Sequence, residues 1–208
     1  MGRGDGLTTL DMTTTRGDTH TILTHPAAPH LGGNLFGGDT RCIFPDLWAW
    51  LVARYSVRSV FDVGCGEGYS MEWFKTLGCD VVGLDGLPHN ALESSKYGPC
   101  VLHDLTKGSF TAIHADLVWC CEVVEHVAPE FVDHVAETLA SGKVLAMTHA
   151  LPDQAGWHHV NCQPPAYWIE RMAKHGMRFD VNATNRSREI AAGFWGVSGM
   201  IFTREAAK

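Results

Sequence analysis

The chain has 208 residues, of which 45% are hydrophobic and 19% charged, and its formal net charge is −7. This length fits one domain with a single core and leaves no room for a second catalytic domain. The negative charge opposes a general phosphate-binding surface, so nucleic acid is a disfavoured partner. No apolar run approaches the roughly 20 residues that span a bilayer, which predicts a protein without a membrane segment.

The first residues lack the apolar core of a secretory signal, which predicts a cytoplasmic location. Residues 1–28 are rich in Gly, Thr, Asp and Pro without apolar periodicity, and we expect a flexible, loosely ordered arm there. Residues 29–56 combine the glycine-dense HLGGNLFGGD with an amphipathic pattern in LWAWLVARY. We therefore expect an accessory segment or lid that ends in a short helix. The main domain is expected over residues 57–208.

Seven cysteines are present without paired C-x-x-C spacing, and most of them lie in or beside predicted strands. Free cysteine packs as a small hydrophobic residue. We therefore expect reduced, buried cysteines, with neither a zinc site nor a disulfide framework.

Strand and helix patterns alternate regularly from Ser59 onward. Buried strands are predicted at SVFDV, VVGLD, CVLHD, DLVWCC and KVLAMTH, and closing strands at RFDVNAT and GVSGMIFTR. Helices are predicted at YSMEWFKTL, PHNALESSKY, EVVEHV, PEFVDHVAETLA and PPAYWIERMAKHG. Strands separated by such helices imply right-handed crossovers, so the pattern predicts a Rossmann-like, doubly wound α/β fold with a mainly parallel sheet. Ligands of such folds bind at the carboxyl ends of the strands.

A glycine turn, Asp62-Val-Gly64-Cys-Gly66-Glu-Gly68, follows the first strand of that series. Glycines there let a ligand approach the main chain closely. The nicotinamide dinucleotide motif G-x-G-x-x-G would need its third glycine one residue later, where Tyr69 stands. Asp62 would sit awkwardly beside a pyrophosphate but would attract the ammonium group of a bound amino acid. S-adenosylmethionine (SAM) offers that ammonium and carries no phosphate.

Two further aspartates come at the ends of successive strands. Asp85 ends the second strand, where a carboxylate can accept hydrogen bonds from both hydroxyls of a ribose. Asp104 follows the third strand and is placed to meet an adenine amino group. A single strand-ending aspartate is often only a helix cap. Three acidic residues at three successive strand ends favour a cofactor that contains a nucleoside and an amino acid.

The segments SVFDVGCGEG, VVGLDG, HDL and DLVWCCEVVEHV resemble the successive motifs of class I SAM-dependent methyltransferases, from about Val57 to the C-terminus. The resemblance implies a seven-stranded sheet whose last strand is antiparallel, with SAM as the cofactor of the domain. It implies that the turn glycines line the methionine part of SAM, that Asp85 holds the ribose, and that Asp104 and Leu105 flank the adenine. The expected cofactor-binding set is Asp62, Gly64, Gly66, Gly68, Asp85, Asp104, Leu105 and Cys121.

The EVVEH element places Glu122, Glu125 and His126 at i, i+3 and i+4, which a helix would bring to one face. Two carboxylates and an imidazole can hold a hard or borderline divalent ion such as Mg²⁺ or Mn²⁺. E-x-x-E-H is also common in methyltransferases without a metal requirement, where Glu122 would act near SAM and the other two would brace the helix. Both interpretations stay open at this point.

A later loop, WHHVN, is expected to return over the same end of the sheet. In ubiquinone-pathway O-methyltransferases and small-RNA 3′-end 2′-O-methyltransferases, a similar E-x-x-E-H is completed by a histidine from this region, which implies His158 or His159 here. The surrounding HHVNCQPPAYW matches neither family closely. His149 is a third candidate, and Trp157 with Tyr167 would suit a flat or sugar-like acceptor if they line the mouth. The candidate metal set is Glu122, Glu125, His126 and His159.

Methyl transfer is an in-line displacement at the sulfonium methyl, and a hydroxyl acceptor also needs help with its proton. A metal can lower the pKa of that hydroxyl, or a neutral histidine can remove the proton. Glu122, His126 and His159 are therefore the candidate catalytic residues. The expected function is O-methylation of a small molecule, a sugar or a secondary metabolite. The alternatives are a metal-dependent 2′-O-methyltransferase of RNA ends and a non-catalytic SAM-binding partner protein.

Overall fold

The computed structural model of the chain describes residues 11–15, 18–25, 28 and 30–204. Two sheets are present in this part of the chain, one small and antiparallel, the other seven-stranded and mixed. The larger sheet carries the helices and forms the main domain. Within the described residues, no helix is both long and apolar enough to cross a membrane.

The small sheet lies at the N-terminal end of the described chain. It consists of β1 (Asp11–Thr15), β2 (Asp18–Thr24) and β3 (Gly32–Leu35), paired antiparallel in that order. The strands within residues 1–28 differ from the expectation of a loosely ordered arm. The threonine-rich DMTTT and DTHTILT pair with each other without apolar alternation, because β-branched threonine favours extended backbone. The first ten residues of that arm lie outside the described part.

The main sheet has the strand order β6-β5-β4-β7-β8-β10-β9. Strands β4 to β8 run parallel, whereas β10 pairs antiparallel with both β8 and β9. This topology confirms the predicted doubly wound fold with an antiparallel last strand. The strand order reverses between β4 and β7, so a crevice for ligands opens at their carboxyl ends. The strands are β4 (Ser59–Val63), β5 (Asp80–Asp85), β6 (Cys100–Leu102), β7 (Leu117–Cys120), β8 (Val144–Met147), β9 (Met177–Phe179) and β10 (Met200–Arg204).

Helices cover both faces of this sheet. Proline begins α1, α3 and α5, where its missing N–H and fixed φ suit the first helical turn. Three single-turn 3₁₀ helices, at 40–42, 124–126 and 129–131, join longer elements. The α-helices are α1 (Pro45–Tyr55), α2 (Tyr69–Thr76), α3 (Pro88–Ser94), α4 (Val132–Leu139), α5 (Pro165–Lys174), α6 (Val181–Ile190) and α7 (Gly193–Ser198).

The core packs against both faces of the sheet, and every residue of β7 and β8 is buried. On one face Trp119 stacks on Trp195 with ring centroids 4.9 Å apart, and Trp48 meets Trp119 edge-on. Trp168 is buried on the other face. Truncation of such a side chain to alanine typically costs about 3–5 kcal/mol. Trp48, Trp168 and Trp195 therefore stabilise the scaffold, whereas Trp119 also borders the cavity at the ends of the strands.

The RFDVNAT segment differs from the predicted strand. Only Met177–Phe179 is extended, because Asp180 caps the next helix and its Oδ1 accepts the N–H of Ala183 at 2.9 Å. An aspartate in this position satisfies a free amide at the helix start. The residues that follow form α6, which was not predicted. In the same way, α7 occupies the first part of GVSGMIFTR, and the strand begins at Met200.

Candidate active site

A cavity of about 580 Å³ lies at the carboxyl ends of the central parallel strands. Residues 30–43, which we call the strap, form one wall, and the loop at residues 154–159 contributes at one end. The cavity brings together most of the predicted site residues. Those that line it are Asp62, Gly64, Gly66, Asp85, Asp104, Leu105, Cys121, Glu122, His126 and His159.

Gly64 and Gly66 shape the turn after β4 in different ways. A Cβ on Gly64 would clash with the side chain of Val123, so the absence of a side chain lets the turn pack against the loop after β7. A Cβ on Gly66 would meet nothing closer than Asn34 Oδ1, at 3.4 Å. Gly66 therefore presents open backbone to the cavity, as expected for a residue that contacts a cofactor.

Gly68 does not line the cavity, which corrects its expected place beside the methionine part of a cofactor. A Cβ on Gly68 would lie 2.8 Å from the ring of Tyr97 and 2.9 Å from Ser94 Cβ. The third glycine of the turn is therefore required by close packing against the end of α3. It positions the turn by this packing and lies outside the cavity lining.

Asp85 is 8% exposed and lies where β5 ends. Its Oδ2 accepts the N–H of Gly66 (2.9 Å), and its Oδ1 accepts the N–H of Leu87 (2.8 Å) and Nδ2 of Asn90 (3.2 Å). Burial outweighs these hydrogen bonds and raises the pKa of Asp85 to about 6. The carboxylate is fixed in place by three donors, so its remaining lone pairs point in defined directions.

Asp62 is the more deeply buried of the two carboxylates, at 1% exposed. It accepts a short hydrogen bond from the hydroxyl of Ser70. Burial raises the pKa of Asp62 to about 7, and the nearby charge of Asp85 adds to the shift. A cation placed beside Asp62 would restore the ionised form, which fits the predicted contact with an ammonium group.

Asp104 lies after β6 and is bound by a strap residue. His30 Nε2 donates to Asp104 Oδ2 at 3.0 Å, and Thr106 donates to Oδ1 through its N–H (2.9 Å) and its hydroxyl (2.7 Å). Burial alone would raise the pKa of Asp104, but the hydrogen bonds from Thr106 and His30 lower it. The strap therefore contacts the residue that was predicted to meet the adenine.

The strap makes three further polar contacts on this side of the cavity. Asn34 Nδ2 donates to Asn90 Oδ1 at 2.8 Å, and Asn90 in turn donates to Asp85, so the strap is linked to that carboxylate. The N–H of Gly37 donates to Glu67 Oε1 at 2.9 Å, and the hydroxyl of Tyr69 donates to the Gly37 carbonyl at 2.7 Å. The strap thus runs across the ends of β6, β5 and β4 in turn.

Glu122 lies at the other end of the cavity and has an unusual backbone conformation. Its φ is +55°, in the left-handed region that few side chains adopt. Its N–H donates to Thr148 Oγ1 at 2.7 Å. The helix that was expected through EVVEHV is a single 3₁₀ turn at Val124–His126, and Glu122 lies outside it. The prediction of one shared helical face for Glu122, Glu125 and His126 is therefore wrong.

Glu125 is fully buried, at 0% exposed, and does not line the cavity. Neither carboxylate oxygen has a hydrogen-bond partner within the described part of the chain. Burial, followed by the charge of Glu122, raises the pKa of Glu125 to about 8. A buried carboxyl without partners is costly, so this residue is one to which a proton or a cation would bind.

His126 and His159 meet edge-on, with ring centroids 5.1 Å apart. His159 Nδ1 lies 3.0 Å from the carbonyl oxygen of Gln154. A carbonyl oxygen only accepts, so Nδ1 carries the proton and Nε2 keeps a lone pair in neutral His159. Burial, followed by the charges of His159 and His158, lowers the pKa of His126 to about 4, and its Nδ1 has no partner. His126 is therefore a neutral imidazole at pH 7.

Three of the four predicted metal ligands come together. Glu125, His126 and His159 each offer a ligand atom, and these atoms all lie within 4.8 Å of one another. Glu122 stands outside this group, although its buried Oε1 also lacks a partner. One carboxylate and two imidazoles form a donor set that suits Mn²⁺, Fe²⁺ or Zn²⁺ as well as Mg²⁺.

The remaining aromatic and histidine candidates divide between the cavity and the core. Trp157 lines the cavity, whereas Tyr167 packs against the core. His158 does not line the cavity, and its Nδ1 donates to the carbonyl of His126 at 3.2 Å, which braces the 3₁₀ turn. His149 is fully buried, and its Nδ1 donates to the carbonyl of Ala150.

Three residues of the site were not found from the sequence. His30 and Asn34 contact residues 74 and 56 positions later, a distance that no local pattern spans. The ring of His159 packs directly against Gly156, and a Cβ at that position would clash with the ring. The glycine directly before Trp157 was the available signal for this close approach.

Residues 61–147 match a family model described as a methyltransferase domain. The matched span begins within β4 and ends with β8, and it includes the glycine turn and the EVVEH element. No curated protein sequence matches the chain.

Solved structures share the fold at low sequence identity. A sugar N-methyltransferase from Streptoalloteichus aligns with a TM-score of 0.63 at 13% identity, covering 82% of this chain and 90% of that one. A TehB-like SAM-dependent methyltransferase from Corynebacterium glutamicum gives 0.58 at 17% identity, covering 82% and 91%. A magnesium protoporphyrin IX methyltransferase from Synechocystis, solved with bound SAM, gives 0.54 at 22% identity, covering 76% of each chain.

Proposed function

We propose that the chain is a class I SAM-dependent methyltransferase that methylates a hydroxyl group of a small molecule. The methyltransferase-domain model that residues 61–147 match and the fold shared with solved SAM-dependent methyltransferases support the first part of this proposal. The observation that carries the choice of a hydroxyl is the pair of imidazoles at one end of the cavity. His159 has a protonated Nδ1 and a free Nε2 lone pair, and His126 is neutral beside it. A neutral histidine beside the acceptor is what removal of a hydroxyl proton requires.

Three buried or partly buried carboxylates support SAM as the cofactor. Asp62 suits the ammonium group, Asp85 suits the ribose hydroxyls, and Asp104 suits the adenine amino group, as the family resemblance implies. Each carboxylate is held by at least one hydrogen bond from the protein. Gly66 presents open backbone between them. The strap closes over this side through His30 and Asn34, so the segment predicted as a lid fits a role in covering the cofactor.

When bound, SAM supplies an electrophilic methyl group on a sulfonium. The protein must then hold an acceptor oxygen in line with that methyl group. The wall at this end offers Trp157 as an apolar surface and Glu122 as a hydrogen-bond acceptor. His159 Nε2 takes the hydroxyl proton as the new bond to oxygen forms, while Gln154 fixes the tautomer through Nδ1. The strap and the 154–159 loop limit the access of water to this end.

A divalent ion offers a second version of the same proton chemistry. Glu125, His126 and His159 would hold it, and the observation in favour is that Glu125 is buried without a partner while His126 Nδ1 is also free. The ion would lower the pKa of the acceptor hydroxyl. Activity that disappears with EDTA and returns with Mg²⁺ or Mn²⁺ would establish this version. Full activity after exhaustive chelation would leave His159 as the base.

The acceptor class is the least constrained part of the proposal. A small sugar or secondary metabolite fits a cavity of about 580 Å³ that also has to hold SAM. An RNA end is opposed by the net charge of −7. A non-catalytic role is opposed by the free imidazole at the acceptor end, which a pure SAM-binding partner would not need. Location in the cytoplasm stays a prediction.

Incubation with SAM labelled in the methyl group, followed by separation of small metabolites, RNA and protein, tests these readings together. Label in a small hydroxyl compound supports the proposal, and label in RNA selects the alternative acceptor. Label in an amine would move the assignment to N-methylation, the activity named for the Streptoalloteichus enzyme. SAM binding without any transfer to these pools would favour the non-catalytic partner.

A further inference from the structure

We propose that Cys65 and Cys100 form a reversible disulfide that controls the affinity of the enzyme for SAM. Cys65 lies in the glycine turn, between Gly64 and Gly66, and lines the cavity. Cys100 begins β6 and is partly exposed. Their Sγ atoms are 3.6 Å apart. The proposal depends on SAM binding alone, so it is independent of the acceptor and of the base.

Gly83 makes the room in which the two sulfurs meet. A Cβ at this position of β5 would lie 2.8 Å from the Sγ of Cys65, 3.3 Å from that of Cys100 and 2.7 Å from the sulfur of Met71. The bare face of one strand residue therefore accommodates three sulfur atoms. The two Sγ atoms therefore lie close to each other above Gly83.

The two thiols differ in their readiness to react. The hydrogen bond from Cys65 lowers the pKa of Cys100, whereas that hydrogen bond and burial raise the pKa of Cys65. The thiolate is the nucleophile in disulfide exchange. Cys100, which is also the more exposed of the pair, is therefore the attacking residue, and Cys65 is the resolving residue.

The oxidant in this proposal is a small-molecule disulfide such as oxidised glutathione. The Cys100 thiolate attacks one of its sulfurs, forms a mixed disulfide and expels one glutathione thiolate. The Cys65 thiolate then attacks the Cys100 sulfur and expels the second glutathione thiolate. The two cysteines lose two protons and two electrons, and the oxidised glutathione is reduced to two thiols.

We expect formation of the bond to displace the glycine turn. A disulfide requires an S–S distance of about 2.05 Å, so the sulfurs have to approach from 3.6 Å. The backbone of Cys65 is tied to β5, because its N–H donates to the carbonyl of Leu84, and the next N–H, of Gly66, donates to Asp85. A shift of Cys65 therefore disturbs both Gly66 and Asp85, which we assign to SAM.

The experiment uses the full-length chain treated with oxidised glutathione and then freed of the reagent. Peptide mapping without reduction should identify one cross-link between Cys65 and Cys100, with the mass of the protein lowered by two hydrogens. Titration calorimetry should then show SAM affinity reduced by about tenfold or more and restored by dithiothreitol. In Cys100→Ser the reduced protein should bind SAM as wild type does, and oxidised glutathione should have no effect.

Cys79→Ser is the matched control, because Cys79 is a buried cysteine at the opposite end of β5 whose bond to the Val57 carbonyl a hydroxyl can replace. It should respond to oxidised glutathione as wild type does. If Cys100→Ser does not fold, Cys100→Ala serves in its place. The proposal is overturned if oxidation leaves both thiols unlinked to each other, or if the cross-linked protein binds SAM with unchanged affinity.

Discussion

The two halves of the cavity satisfy their polar groups in opposite ways. In the cofactor half, Asp62, Asp85 and Asp104 all accept hydrogen bonds from the protein. In the acceptor half, Glu122 Oε1 and His126 Nδ1 are buried without a partner among the described residues. The same holds for both oxygens of Glu125, which lies close to His126 but does not line the cavity. A buried polar group without a partner costs about 1–3 kcal/mol. The cofactor half is therefore preorganised, whereas the acceptor half is completed by what binds there.

The largest expected effect is a loss of SAM affinity caused by a change in the cofactor half alone. Gly66→Val should reduce SAM affinity by about 100-fold or more, because Gly66 has a φ of +54° and a branched side chain would enter the cavity. Gly78→Val is the control: Gly78 also has a positive φ, but a Cβ there meets nothing within 4 Å and lies away from the cavity. Calorimetry on the folded variants tests this, and equal losses in both would assign the effect to backbone strain.

The next prediction concerns a change in the acceptor half that should leave the cofactor half unaffected. His159→Ala should lower kcat by about 100-fold, the usual contribution of a general base, while SAM affinity stays unchanged. His114→Ala is the matched control, since its Nδ1 also donates to a carbonyl, that of Ser141, far from the cavity. Single-turnover rates and calorimetry on both variants provide the measurement. A loss of SAM affinity in His159→Ala would show that the two halves do not act separately.

Asp85→Ala should weaken SAM binding by about tenfold or more, because two charge-assisted hydrogen bonds, each worth about 1.5–3 kcal/mol, are lost. The enthalpy of SAM binding should also become less favourable, because these hydrogen bonds are lost. Asp116→Ala is a suitable control, as Asp116 also accepts two backbone N–H groups, at the opposite end of the sheet. Wild-type affinity in Asp85→Ala would remove the assignment of this residue to the ribose.

The affinity for SAM should change by more than about tenfold between pH 7.5 and 5.5. SAM should bind the ionised forms of Asp62 and Asp85, whose pKa values are raised to about 7 and about 6, so its affinity should fall as the pH falls. The folding stability of the SAM-free protein should change in the opposite direction and fall as the pH rises. Because both pKa values are raised on folding, the protonated groups favour the folded state, and that contribution is lost as the pH rises through 6 to 7. Asp62→Asn should flatten both profiles, which calorimetry and thermal unfolding can follow.

The sequence predicted the elements that are dominated by burial and missed those that are set by single polar contacts. Strands such as VVGLD are apolar along their length and could be recognised without neighbours. The helix α6, VNATNRSREI, has few apolar residues and depends on the cap of Asp180. The left-handed backbone of Glu122 also has no signature in its residue type. The EVVEH spacing therefore did not predict the observed grouping, in which Glu125 and His126 meet His159 while Glu122 lies outside.

The strap has a kinetic consequence that follows from its length. It contacts the nucleoside end through His30 and borders the methyl end through Arg41 and Cys42, within one cavity. We expect the spent cofactor to leave only when the strap opens, and turnover at saturating substrate should then be limited by strap opening rather than by methyl transfer. Such a rate falls as solvent viscosity rises, and the chemical step measured in a single turnover does not.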